Sequence, residues 1–156
     1  MRDKRFVAEH RGGPLTKTQH RQLMKWAIQC AEHVLALIGE KVDLRLESAL
    51  KVARAWEQGD ASVGDARNAA VAAHAVARES SNPATVAVAR AVGHAVATAH
   101  MADHSLGPAL YALKAVKAAG GSVEAEREWQ TAHLPPDVRA LVLSALEAPK
   151  FKRFQI

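Results

Sequence analysis

Alanine occupies 33 of the 156 positions, and 17 of those alanines fall between residues 51 and 100. Alanine has the highest helix propensity of any residue, and its single methyl group lets helix axes approach to about 8 Å. A chain built this way is confined to helix packed on helix. Strand signals are nearly absent, because β-branched residues seldom alternate with polar ones. The expected fold is therefore all-α: a compact bundle of about six to seven short alanine-rich helices. At this length one domain over 1–156 is expected, with a basic N-terminal arm over 1–15 and a tail over 149–156.

The first helix is predicted over 18–38, with Leu23, Ala27, Cys30, Ala31, Val34, Leu35 and Ile38 on one stripe and Gly39 as its stop. The second, about 44–58, takes Asp43 as its N-cap and turns Leu46, Ala49, Leu50, Ala53 and Trp56 inward. A third spans about 63–80 after Ser62, and a fourth starts at Asn82-Pro83 and runs to about 104. Gly107-Pro108 introduces a fifth over 108–119, which Gly120-Gly121 ends. Ser122 caps a sixth over about 123–133, where Glu124, Glu126 and Glu128 suit the positive end of the helix dipole and could form an acidic patch. Beyond Pro135-Pro136 a seventh helix turns Val138, Leu141, Val142 and Ala145 inward, and the chain from Pro149 onward is expected to be irregular. Helices three and four, the richest in alanine, should form the tightly packed centre.

Several function classes are disfavoured by composition. The chain holds no unbroken apolar stretch of the roughly 20 residues that a membrane span needs, and Met1–Phe6 is charged with no apolar run behind it. A cytoplasmic protein is expected, with no membrane partner. Cys30 is the one cysteine, so no internal disulfide can form. The formal charge of +5 invites a nucleic-acid reading, yet its distribution argues against one. Residues 1–25 carry seven Lys/Arg against two Asp/Glu, and Lys150, Lys152 and Arg153 add three more, which leaves eleven basic against fourteen acidic residues over 26–149. The excess positive charge sits on the two ends, without the interleaved aromatics of a nucleic-acid surface.

Three constellations could carry chemistry. Arg67, His74 and Arg78 share one face of the third helix, and Arg90 and His94, at i and i+4, form a second cationic ridge on the fourth. On helices otherwise almost wholly apolar, such ridges either face water and bind an acidic partner, or pair indoors with acids such as Glu32, Asp43, Glu57 or Asp65. Asp103 adds a carboxylate to this set. His100 and His104, at i and i+4 in Thr98-Ala-His-Met-Ala-Asp-His104, have the spacing at which one helical face offers two nitrogens to a transition metal. A third ligand would have to come from His74, His33 or Cys30; the bland alternative is two histidines hydrogen-bonded near a helix end. No H-E-x-x-H, G-x-S-x-G, phosphate-binding glycine loop or C-x-x-C is present, so no catalytic residue and no cofactor is expected. Cys30 and the tryptophans read as core or interface residues.

The segments Trp26-Ala-Ile-Gln-Cys-Ala-Glu-His33, Ala53-Arg-Ala-Trp-Glu-Gln-Gly59, Val63-Gly-Asp-Ala-Arg67, Ala73-His-Ala-Val-Ala-Arg78 and Gly93-His-Ala-Val-Ala-Thr-Ala-His-Met-Ala-Asp-His104 resemble the bacterial immunity proteins grouped as immunity-five-like. The similarity runs from about residue 4 to 142 and is most specific in the last segment. It implies an all-helical, cytoplasmic, non-catalytic protein that binds and neutralises a cognate toxin of a toxin–antitoxin type system. Two alternatives stand beside it: a metal-binding helical protein or enzyme using His100 and His104, and a nucleic-acid accessory protein using its basic ends.

Overall fold

The computed structural model describes residues 2–152. Among these residues eight α-helices are present: α1 Lys17–His33, α2 Leu44–Glu57, α3 Val63–Glu79, α4 Pro83–Ala97, α5 Leu106–Ala118, α6 Val123–Ala132, α7 Pro136–Leu146 and the single turn α8 Pro149–Lys152. No strand occurs among the described residues; Ala8 and Leu15 form one isolated bridge. The all-α expectation holds. The count rises to eight because Pro149 opens a further helical turn, so the chain from 149 to 152 is helical rather than irregular. Residues 153–156, with Arg153, lie outside the described residues.

The helix starts are written locally. Thr16 and Gln19 form a capping box on α1, Ser62 and Asp65 another on α3, and Asn82 accepts the Thr85 N–H ahead of Pro83 on α4. Each satisfies backbone donors that the first turn leaves unpaired. The α1 helix stops at His33, earlier than expected. Val34 leaves helical geometry, and Leu35–Ile38 continues as a 3-10 turn that ends at Gly39.

The α4 helix occupies the centre and packs most extensively on α3 and α5. Its Ala87–Ala89 and Ala91–Val92 are buried, and small side chains there let neighbouring backbones approach. One core cluster joins α1, α2, α3 and α4 through residues such as Met24, Ala31, Leu50, Ala73 and Val92. A second gathers Phe6, Leu15, Trp26, Leu106, Val138 and Val142. The basic N-terminal arm is thus docked, not free: Phe6 and Leu15 are 0% and 1% exposed.

The acidic patch expected on α6 does not form. Glu126 is buried, and its carboxylate accepts the Nδ1–H of His33 at 2.8 Å. The His33 ring in turn stacks on Trp129, with centroids 3.5 Å apart and planes 1° from parallel. Only Glu124 and Glu128 of the three remain exposed.

Candidate functional site

Where α4 meets α3 and α5, four histidines lie in a row. The His74 and His94 rings are edge to face at 5.2 Å, those of His94 and His104 are 5.3 Å apart, and those of His104 and His100 are 5.2 Å apart. Tyr111 of α5 stacks on His94 at 5.3 Å. All four histidines are half-buried. Two glycines admit the row. A Cβ on Gly93 would sit 2.6 Å from the His74 ring, and one on Gly107 would sit 2.7 Å from Cβ and Cγ of His94.

Hydrogen bonds tie three of these rings, while Nδ1 of His100 is buried without a partner among the described residues. The Arg90 Nη1–H donates to His74 Nδ1 at 2.8 Å, so His74 is the neutral tautomer with its proton on Nε2. The Nδ1 atoms of His94 and His104 are 3.2 Å apart, a contact in which one ring donates and the other accepts. Burial, together with the positive charge of Arg90 and Arg78, pushes His74 down to about 4. Burial and the neighbouring His104, His74 and Arg90 push His94 down to about 3. His100 and His104 are lowered too, chiefly by burial, with Arg67 and Arg11 acting on His100 and Arg2 on His104. The row is therefore uncharged at neutral pH and edged by arginines.

Those arginines lack the indoor partners that were one of the two expectations for the ridges. Glu32 pairs with Arg54, Asp43 pairs with Arg45 at 2.9 Å, and Asp65 serves the α3 cap. Arg67, Arg78 and Arg90 form no ion pair among the described residues; Arg67 and Arg78 are exposed and Arg90 is half-buried. Asp103 lies 3.9 Å from Arg2 instead.

His100 and His104 do not share an α-helical face. The α4 helix ends at Ala97, His100 sits in the following turn, and His104 belongs to a 3-10 turn, Ala102–Ser105. The cause is tertiary. His20 of α1 donates its Nε2–H to the Thr98 carbonyl at 2.6 Å, taking an acceptor that a continuing helix would have used. Of the suggested third ligands, Cys30 is buried in the core and His33 is bound to Glu126. Among the described residues no three His, Cys, Asp or Glu side chains converge on a point that would hold a metal ion. The nitrogens that do converge belong to His94 and His104. That pairing was hidden in the sequence, because His104 reaches His94 only through the turn after α4.

A family model described as Imm-5 like putative immunity protein matches residues 13–137. The chain belongs to that family. No curated protein and no solved structure matches it. The family region takes in α1 to α6 and with them the whole histidine row, the arginine ridges and Tyr111. Among the described residues of this immunity-family member no helix is long and apolar enough to cross a membrane.

Proposed function

We propose that this chain binds and neutralises a cognate protein toxin as a non-catalytic helical module, using the face that α3 and α4 present. The observation that carries the reading is that Arg67, Arg78 and Arg90 form no ion pair among the described residues, whereas Arg5, Arg45 and Arg54 elsewhere in the molecule each have a carboxylate partner. Exposed cations held on stiff helices raise the rate at which an acidic surface docks and exclude basic ones. Beside them Arg90 is bonded to neutral His74, and His94 to His104, which stiffens the face. Membership of an immunity family supplies the kind of partner, and the charge supplies its sign.

The experiment is co-expression with the products of the adjacent open reading frames. Growth should be rescued from one specific toxic neighbour. The double variant Arg67→Glu with Arg78→Glu, both exposed and unpaired, should lose that rescue while keeping its melting temperature. Rescue by no neighbour would count against neutralisation, and undiminished rescue by the double variant would move the binding face elsewhere.

A further inference from the structure

Arg67, Val71, His74 and Arg78 fall at i, i+4, i+7 and i+11 of α3, so they lie within about 60° of one another around the helix. Val71 is the odd member of this stripe. Its side chain is 65% exposed, whereas Val76, one turn further on, is buried in the core. A β-branched residue is a poorer helix former than the alanines around it, so neither burial nor propensity accounts for valine at this position.

Arginines stand on both sides of it. Arg67 is one turn before Val71 and Arg78 about two turns after, some 11 residues or about 16 Å apart at the helical rise. Each has a companion from another element. Arg11 of the N-terminal arm acts with Arg67 on His100, and Arg90 of α4 acts with Arg78 on His74, donating to its Nδ1 at 2.8 Å. None of these four arginines forms an ion pair among the described residues. The carboxylates nearby are engaged: Glu79 holds Arg45 through both oxygens at 2.8 and 3.1 Å, Asp65 closes the α3 cap, and Asp103, which also bears on His100, faces Arg2 at 3.9 Å. An exposed apolar centre with cations at either end is the anatomy of a protein–protein contact. A phosphate backbone would use the arginines and leave Val71 in water.

We propose that Val71 anchors the contact with the partner protein, which covers it with an apolar side chain and sets carboxylates on either side about 16 Å apart, one group for Arg11 and Arg67 and the other for Arg78 and Arg90. The proposal rests on the toxin-binding reading and adds to it the anchor and the spacing of the acidic groups that the toxin presents.

The test is isothermal titration of the full chain with the neighbouring product that it neutralises. Val71→Ala should weaken binding about fivefold, and Val71→Asp, which puts a carboxylate among the arginines, about tenfold or more. Arg11→Gln with Arg67→Gln should lower affinity and flatten its decline with salt. Leu44→Asp on α2 is the control: Leu44 is 75% exposed, so indiscriminate apolar contact would make it matter as much as Val71, whereas the proposal leaves its affinity unchanged. Melting temperatures establish that each variant folds. Full affinity in Val71→Asp, with binding lost in Arg67→Glu and Arg78→Glu together, overturns the anchor and leaves toxin binding standing. Equal losses in Val71→Asp and Leu44→Asp overturn it as well. If no neighbour is bound, the toxin reading fails by itself, and the stripe is read with a fluorescein-labelled helical peptide of about 15 residues, carrying Glu pairs three turns apart and a Leu between them. Binding to the wild type and to Leu44→Asp, lost in Val71→Asp, supports the proposal. No binding, binding that all variants share, or tighter binding of a DNA duplex through the same residues overturns it.

Discussion

His74 accepts the Arg90 N–H at its Nδ1 lone pair, so protonating that nitrogen would remove the bond and set two cations face to face. His94 and His104 are tied in the same way, since both cannot carry a proton on the shared Nδ1 contact. In the unfolded chain each imidazole titrates near about 6.5. Folded, His74 titrates at about 4 and His94 at about 3. Below the unfolded value the unfolded state holds more protons, so stability is complete above that pH and is lost as pH falls toward the folded values. The unfolding free energy, and melting temperature with it, should be flat above pH 7 and fall below about pH 6.5, down to about pH 4 for His74 and about pH 3 for His94, the free energy by up to about 1.4 kcal/mol per pH unit for each histidine. In His94→Gln the slope should be shallower, as read by circular dichroism at constant ionic strength; parallel curves would remove the histidine row as the cause. Gly93 belongs to the same scale. Gly93→Ala places a methyl against the His74 ring and should cost about 1–3 kcal/mol in urea unfolding. Combined with His74→Ala the cost should shrink, because the obstructing ring is gone.

The element scale shows which signals are local. Asn82-Pro83, Ser62 and Ser122 were legible as helix starts because a cap acts on the next three residues. The end of α4 was not. Neither glycine nor proline marks residue 97, and the hydrogen bond that diverts the chain comes from His20, 78 positions away. The consequence reached the site directly, since an unbroken helix to 104 would have paired His100 with His104 instead of His104 with His94. Glu126 was misread for a related reason. Glutamate in a first turn reads as a dipole partner in water, but Trp129 stacked on His33 draws it under cover. The cationic ridges, by contrast, followed from helical spacing alone, and Arg67, Arg78, Arg90, His74 and His94 lie where that spacing puts them. Tyr111, the single tyrosine, has no periodic companion that could have announced its stacking on His94.

At the scale of the molecule, charge is segregated: Asp43 and Glu79 hold Arg45, Glu32 holds Arg54 and Asp65 closes the α3 cap, so these carboxylates are spent away from Arg67, Arg78 and Arg90. The docked N-terminal segment bears on how such a surface can be probed. Arg5 donates Nη1–H to Ser144 at 2.9 Å, and Phe6 and Leu15 fill the core beside Val138 and Val142. Phe6→Ala alone should cost about 3–5 kcal/mol in urea unfolding. Shortening the chain by its first fifteen residues would therefore strip a plug out of the core that α1, α5 and α7 share, as well as removing four basic residues, and any partner lost with it could have been lost to unfolding. Swapping those basic side chains for glutamine one by one leaves the plug seated, and only in that background does a change in binding speak about electrostatics.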